Sequence, residues 1–204
     1  LMYFGDHPVG ERWGVHLEGQ WRRHDIATKP MQLLLRPAVN YRVSDAATLT
    51  AGYAFVDTHR YGGFPVAGSF PENRTFQQAA LSNRLGRASL SHRYLLEQRL
   101  IVTRTPVEGQ PSRKDQRYEN RFRYMLRGAI PLGKESDWYL AAYDEIFINF
   151  GKNVAFNVFD QNRAYLAVGR KLSPRNQLEL GYLQQTVQQR SGRVLEMNHT
   201  LQLG

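Results

Sequence analysis

Cysteine and long apolar segments are both absent from this sequence of 204 residues. Without cysteine, the chain has no disulfide framework, no thiolate metal site and no cysteine nucleophile. A membrane-spanning helix needs about 18 or more consecutive apolar residues, and no such run occurs. The fold must therefore be inferred from shorter patterns along the chain.

Lysine is the scarce charged residue. The chain has 22 Arg and 5 Lys against 18 acidic residues, which gives a formal net charge of +9. Exposed surfaces usually carry much lysine, whereas arginine is favoured where several fixed hydrogen bonds satisfy a cation in a confined space. The basic residues are spread over alternate positions and are not gathered into a basic run. The composition therefore argues against a nucleic-acid partner.

A two-residue period organises the chain, and it is clearest in Tyr118–Ile130. One alternate set is charged and the other is apolar, which places the two sets on opposite faces of a strand. On a helix, the same charges would be scattered around the axis. The charged set contains Glu119, Arg121, Arg123 and Arg127, and the apolar set contains Tyr118, Phe122, Tyr124, Leu126 and Ile130.

Repetition of this pattern predicts a single all-β domain over residues 1–204, an up-and-down antiparallel transmembrane β-barrel of about ten strands. After an irregular segment at 1–11, strands are expected at 12–24, 31–42, 48–57, 74–84, 88–104, 118–130, 138–149, 162–171, 177–189 and 194–203. The connections at 58–73, 105–117 and 150–161 are long, and the connections between them are short. Short turns at one end and longer loops at the other are typical of outer-membrane barrels.

The apolar face is expected to point outward, toward lipid. A soluble barrel would alternate in the same way with its apolar face inside. However, most of the predicted strands exceed the roughly 5–6 residues usual in soluble sheets and match the roughly 9–11 that a tilted membrane strand needs. Aromatic residues also gather near the strand ends, as in the interfacial girdles of membrane barrels. The predicted lipid-facing residues are Trp13, Trp21, Phe122, Tyr124, Leu126, Trp138 and Tyr182.

The polar face then lines a lumen rich in arginine. Its predicted charge network comprises Arg36, Arg93, Glu97, Arg99, Glu119, Arg121, Arg123, Arg127, Glu145, Arg163 and Glu179. Strands five and six are neighbours, so Glu97 is expected near Arg121 and Arg123. Alternating Arg and Glu side chains would neutralise each other and occlude a narrow barrel. Because cations outnumber carboxylates, a narrow anion-selective pore or a small-ligand binding barrel stays open as the alternative.

Two residues, Asp57 and His59, are candidates for catalysis. At positions i and i+2 they could share a face near the end of a strand, where an acid–histidine pair can activate water. This leaves a rim-located outer-membrane hydrolase as a second alternative, although Asp and His in loops are usually just solvated. No metal-ligand spacing, phosphate loop or nucleotide motif is present, so no metal and no cofactor are expected.

Several short sequence motifs along the predicted strands resemble those of a known bacterial family. They are Arg36-Pro37…Asn40-Tyr41, Gly52-Tyr53-Ala54, His92-Arg93…Glu97-Gln98-Arg99, Arg121-Phe122-Arg123-Tyr124, Asp144-Glu145-Ile146-Phe147-Ile148-Asn149, Gln161-Asn162-Arg163 and Glu179-Leu180-Gly181-Tyr182. The ordered set is similar to the family called domain of unknown function 2490. The resemblance implies an outer-membrane barrel and supplies no activity. The end of the chain departs from the pattern, because such barrels typically finish on an aromatic residue and this chain stops at Gly204.

The sequence thus predicts an outer-membrane β-barrel of a Gram-negative bacterium, with a structural or accessory role in a membrane assembly. The expected partners are membrane lipid or lipopolysaccharide, and other outer-membrane or periplasmic proteins. The occluded lumen is the favoured interpretation, and the pore and the rim hydrolase are the alternatives to it.

Overall fold

The protein is all-β in the part that its computed structural model describes, which is residues 2–24, 29–60, 69–107, 110–173 and 176–204. Those ranges contain eleven strands and no helix. A helix long and apolar enough to cross a bilayer is accordingly not found within them. The strands are β1 Met2–Pro8, β2 Trp13–His24, β3 Lys29–Ser44, β4 Ala47–Thr58, β5 Phe70–Leu85, β6 Ala88–Val107, β7 Gln110–Pro131, β8 Trp138–Phe150, β9 Phe159–Lys171, β10 Gln177–Gln188 and β11 Leu195–Leu203.

Each strand pairs with its neighbour in the sequence, so the order in the sheet runs from β1 to β11 without a crossover. The predicted antiparallel, up-and-down arrangement is confirmed. Tight turns help to fix it: Gly86 has a φ of 58°, a left-handed conformation that glycine adopts at no steric cost in the turn between β5 and β6. Parts of three predicted connections fall outside the described residues, at 25–28, 61–68 and 174–175. The loop predicted at 58–73 is too long, because β4 includes Thr58 and β5 begins at Phe70.

The irregular segment predicted at 1–11 is wrong, because Met2–Pro8 forms strand β1. It pairs antiparallel with β2, with Asp6 opposite His16. Gly5 and Pro8 weaken the strand signal in the sequence. However, proline is tolerated at the ends of strands and in edge strands, and β1 is the first strand in the order while Pro8 is its last residue. The described part of the chain therefore has one strand more than the sequence pattern predicts.

The long polar loop predicted at 105–117 is also wrong. Strand β6 continues to Val107 and β7 begins at Gln110, which leaves a long hairpin. The sequence pattern predicts Pro106 and Pro111 in a loop, yet both lie inside strands. The two-residue pattern is lost there because both faces become polar, and the pairing of the strands continues beyond the apolar stretch.

The two faces of the strands have opposite chemistry. The buried face, defined by Glu97, Glu119 and Glu145 in β6, β7 and β8, includes carboxylates that are almost fully enclosed. The exposed face, defined by Trp13, Phe122 and Trp138 in β2, β7 and β8, presents large apolar side chains to the surroundings. In an ordinary soluble protein, buried charges are rare and large apolar residues are mostly enclosed. The distribution is therefore inverted.

Contacts between Cα atoms group the chain into two compact units, which are described separately below. Unit 1 comprises Leu1–Gln78, Leu96–Arg121 and Phe150–Asn153. Unit 2 comprises Ala79–Leu95, Phe122–Asn149 and Val154–Gly204. Each unit has its own set of buried charges.

Candidate functional site

In unit 1, the centre of the buried charges is Glu97 in β6. Its Oε2 accepts a hydrogen bond from Arg121 Nε at 2.6 Å, and its Oε1 lies 3.5 Å from Arg74 NH1. All three side chains are buried. A buried carboxylate is stable only when it is paired and hydrogen-bonded, and two guanidinium groups meet that requirement here.

The network continues from Glu97 in two directions. On the β5 side, Arg74 Nε donates to Glu72 at 2.7 Å, and Glu72 also accepts hydrogen bonds from Arg99. Arg99 in turn lies 3.9 Å from Glu119, which Arg117 contacts at 2.6 Å. Carboxylates and guanidiniums thus alternate along this network.

On the β2–β3 side, Arg36 NH1 donates to Glu18 Oε2 at 2.7 Å, and its other terminal nitrogen lies 3.9 Å from Glu97. The guanidinium carbon of Arg36 is 5.3 Å from the centre of the Phe76 ring, so it also has an aromatic contact. Glu18 and Arg36 are directly opposite in the register of β2 and β3. The local pairing of these two strands therefore positions the ion pair.

In unit 2, Glu145 in β8 is the common acceptor. Arg93 NH2 donates to its Oε1 at 2.8 Å, and Arg123 NH2 donates to the same oxygen at 2.7 Å. Arg163 is directly opposite Glu145 in the register of β8 and β9. Three arginines from three different strands therefore surround one carboxylate.

The ring of Phe147 supports two of these arginines. The guanidinium carbon of Arg123 lies 4.3 Å from the ring centre, and that of Arg163 lies 5.1 Å from it. When the Gln161 amide is oriented to satisfy its neighbours, its oxygen is 3.1 Å from Arg163 Nε. Stacking and this hydrogen bond fix the planes of the guanidiniums and so preorganise them.

A second carboxylate in unit 2, Glu179 in β10, is satisfied by one cation and two phenols. Arg127 and Tyr139 both donate to its Oε1, with the Tyr139 oxygen at 2.9 Å, and Tyr165 donates to its Oε2 at 3.3 Å. The two tyrosine rings lie against Gly169 and Gly181, where any Cβ would overlap the ring. Glycine is required at these positions so that each ring can lie directly on the backbone of the next strand.

All of the residues predicted for the charge network lie on the buried face or at its margin, and they take part in the contacts above. Sequence reasoning placed Glu72 in a loop and Arg117 outside its strand, and it left Arg74 out. The sequence did contain a signal for Glu72 and Arg74, because the two residues are two positions apart and so share a face of a strand. The sequence placed Glu97 near Arg121 and Arg123, but it could not indicate which of the two donates to it; in the structure it is Arg121.

The residues predicted to face lipid lie on the exposed face, with one partial exception. Trp13, Trp21, Phe122, Leu126, Trp138 and Tyr182 are exposed. Tyr124 is only half-buried: its hydroxyl is 2.9 Å from His92 Nδ1, and its ring centre is 4.9 Å from that of Tyr94. Tyr124 therefore makes a polar contact and a ring contact on the exposed face.

The catalytic candidates Asp57 and His59 do come together, and a third residue joins them. Asp57 Oδ2 is 3.6 Å from His59 Nε2, and Ser69 Oγ is 3.0 Å from His59 Nδ1. Both the Asp57 and His59 side chains are about one-third exposed. The imidazole thus bridges a carboxylate and a hydroxyl, and the sequence pattern did not reveal Ser69 because it follows a long connection.

No group of three or more His, Cys, Asp or Glu side chains is arranged to hold a metal ion in the described part of the chain. The buried carboxylates instead accept hydrogen bonds from guanidinium groups. The arrangement can therefore fix strands to one another.

These features define an antiparallel all-β protein that encloses ion pairs and exposes aromatic and aliphatic side chains. The model of the family described as "Protein of unknown function (DUF2490)" matches residues 1–196, and the chain belongs to that family. The resemblance noted in the sequence is thereby confirmed. An uncharacterized protein of Methylorubrum extorquens is 32% identical, over 84% of this chain and 70% of its own length. No solved structure matches the chain.

Proposed function

We propose that this chain is a β-barrel protein of the bacterial outer membrane, with a structural or accessory role in a membrane assembly. In this proposal, the strands close into a barrel, the exposed face contacts lipid or lipopolysaccharide, and the buried face lines the lumen. The arginine–glutamate network joins strands across that lumen and occludes it. Other outer-membrane or periplasmic proteins are the proposed partners.

The observation that carries the proposal is the inverted burial. Glu97 and Glu145 are almost completely enclosed, whereas Trp138, on the same strand as Glu145, is 47% exposed. In water, exposure of so many large apolar side chains would favour aggregation. In a bilayer, the same side chains are in their preferred medium, and each of β2 to β10 pairs with a strand on both sides, which satisfies backbone groups without water.

Strand length gives further support. Strands β2, β4 and β10 have 12 residues each, and β8 and β9 have 13. A tilted membrane strand needs about 9–11 residues to cross the hydrocarbon layer.

Direct closure of eleven antiparallel strands would pair β1 with β11 in parallel, because alternate strands run in the same direction.

Membrane location is tested by expressing the protein behind a cleavable leader in a Gram-negative host and fractionating the envelope. The expected result is recovery in the outer membrane, extraction only by detergent, and faster gel migration before heating than after it. Recovery as a monomer that is soluble without detergent would overturn the proposal.

Planar-bilayer recording separates the occluded lumen from the alternative of a narrow anion-selective pore. We expect no resolved channel openings from the wild-type protein. A neutral substitution of the central pair, Glu97→Gln with Arg121→Gln, should produce openings if those side chains block the lumen. Stable anion-selective openings of the wild-type protein would instead support the pore.

A second candidate function is ester hydrolysis at the end of β4, and the contacts of His59 favour it. Ser69 Oγ would attack an ester carbonyl while His59 accepts its proton, and Asp57 would orient the imidazole. The alcohol would leave with that proton, and water would then release the acid from Ser69. Labelling by a fluorophosphonate at Ser69, lost in His59→Ala and kept in Ser44→Ala, would support this function. Absence of labelling would remove it.

A further inference from the structure

A charged side chain lies among the apolar residues on the exposed face of β8, in unit 2. Asp144 is exposed, and it is the seventh of the 13 residues of this strand. The residues before and after it on the same face are apolar, and they are Leu140, Ala142, Ile146 and Ile148. Asp144 therefore lies within an apolar stripe in the middle of the strand.

The register of the neighbouring strands extends this position into a polar patch. Asp144 is opposite Ala164 of β9, and Ala164 is also opposite Gln184 of β10. Gln184 is in turn opposite His199 of β11. In the adjacent row of register partners, Asn162 is opposite Thr186. The polar patch is defined as Asp144, Asn162, Gln184, Thr186 and His199, with Ala164 between them.

The two-residue alternation of strands puts the whole polar patch on the exposed face. On their own strands, its members are an even number of residues away from Leu166, Leu180 and Leu201, which are all exposed. The next row on the side of the β7–β8 turn is apolar or aromatic, and it consists of Ala142, Leu166, Tyr182 and Leu201. The patch therefore interrupts a largely apolar surface.

The polar patch contains hydrogen-bond acceptors and donors together. Asn162 Nδ2 donates to Asp144 Oδ1 at 3.0 Å and to Oδ2 at 2.9 Å. A carboxylate can accept several hydrogen bonds, so a single amide does not use its full capacity. The amide of Gln184 and the hydroxyl of Thr186 are further donors in the same two rows. A surface of this composition can pair with a copy of itself.

We propose that the polar patch is a self-association surface, on which a second copy of this chain packs about a two-fold axis. In such an isologous pair the same residues meet from both sides, so Asp144 of each chain accepts hydrogen bonds from the amides of the other. The small side chains of Ala142 and Ala164 let the two exposed faces approach closely, as small residues do at interfaces within membranes.

This inference rests on the membrane location proposed above. In water, Asp144 and the amides would be satisfied by solvent. Against hydrocarbon they are costly unless they are paired, and ionisable side chains within membranes are almost always turned toward a protein partner or a water-filled cavity. A second copy supplies that partner and also covers the apolar residues around the patch.

The first test is sedimentation equilibrium of the purified protein in a density-matched detergent, over a range of protein-to-detergent ratios. We expect a monomer–dimer equilibrium. Asp144→Leu should raise the dimer dissociation constant about tenfold or more, because a symmetric dimer loses the contact twice. Glu135→Leu is the matched control: it removes an acidic charge from the exposed turn between β7 and β8, and it should leave the equilibrium unchanged.

The absence of cysteine permits a second test, because each engineered thiol is then the only one in its chain. Ala164→Cys puts a thiol at the centre of the patch. Sheets packed face to face lie about 10 Å apart, so two such thiols are within reach of a short bismaleimide crosslinker. We expect a covalent dimer, both in detergent and in host membranes. Val39→Cys, on the exposed face of unit 1, is the control and should stay monomeric.

Three results would overturn the self-association surface. One is a monomer at every protein-to-detergent ratio, and another is equal dimerisation of Asp144→Leu and Glu135→Leu. The third is crosslinking of Ala164→Cys to a host protein in place of a second copy, or no more dimer than Val39→Cys gives. Envelope fractionation decides the location separately: recovery in the outer membrane as a monomer refutes this surface alone, whereas recovery as a water-soluble protein refutes the proposed function.

Discussion

Arg121 Nε donates a hydrogen bond of 2.6 Å to Glu97 Oε2, and both side chains are buried on neighbouring strands of one long hairpin. The pair is 24 residues apart in the sequence. Glu97 is also within 4 Å of Arg36 and Arg74, which come from β3 and β5. One carboxylate therefore joins four strands.

Replacement of Glu97 by Gln should destabilise the protein strongly. The substitution removes the carboxylate that accepts a hydrogen bond from Arg121 and lies 3.5 Å from Arg74, and breaking a buried ion pair in this way typically costs about 3–5 kcal/mol. Urea unfolding in detergent micelles would measure the loss. Glu135→Gln, in the exposed turn between β7 and β8, is the control and should change stability by less than about 0.5 kcal/mol.

The double variant, Glu97→Gln with Arg121→Gln, refines this test. If the two residues act as a pair, the double variant should lose less stability than the sum of the two single variants. Strict additivity would contradict the assignment of Glu97 as the centre of the network in unit 1.

Gly181→Ala should destabilise the protein because its methyl group would overlap the ring of Tyr165. Overpacking of this kind typically costs about 1–3 kcal/mol. Gly19→Ala is the matched control, since a Cβ there would meet only a Leu35 methyl group at 4.0 Å. Thermal unfolding of both variants measures the difference. Tyr165→Leu in the same chain should recover part of the loss at Gly181, and equal losses at Gly181 and Gly19 would contradict the contact.

Local alternation of charged and apolar residues was enough to predict ten of the eleven strands in the described residues, and the two faces of those strands. The segment Tyr118–Ile130 illustrates this, because every charged residue of its alternate set reaches the buried face or its margin. The pairing of Glu97 with Arg121 was not predictable in detail. It depends on the register of β6 with β7, and the polar composition of their connection places no constraint on that register.

In strand β5, the alternation of polar and apolar residues is less clear than in Tyr118–Ile130. The exposed face of β5 contains Thr75 and Gln77, which blur the alternation. In the structure, both satisfy Gln98 of β6: Thr75 Oγ1 donates to the Gln98 oxygen at 2.8 Å, and the two glutamine amides donate to each other at 3.2 and 3.0 Å. Polar side chains that hydrogen-bond across strands can therefore occupy the exposed face, but no local sequence pattern predicts those hydrogen bonds.

The register of β1 leads to a direct test, which the absence of cysteine makes unambiguous. His7 is opposite Val15, and antiparallel partners have Cα atoms about 4.5–5.5 Å apart, within the range of a disulfide. The double variant His7→Cys with Val15→Cys should therefore form an intramolecular disulfide on mild oxidation, seen as a mass loss of about 2 Da. His7→Cys with Leu17→Cys, displaced by two residues, is the control. More efficient oxidation of the control would show that β1 pairs in a different register.

Two leucines close together in the sequence distinguish a membrane barrel from a water-soluble sheet. Leu166 and Leu172 are both 60% exposed, but Leu166 lies in the middle of β9 and Leu172 lies just after its end. In water, arginine at either position would have a similar and small effect. In a bilayer, Leu166→Arg places a charge in the hydrocarbon layer and should cost about 2–4 kcal/mol, whereas Leu172→Arg near the interface should cost about 0–1 kcal/mol. Urea unfolding in phospholipid vesicles, followed by tryptophan fluorescence, measures both, and equal small losses would contradict the membrane location.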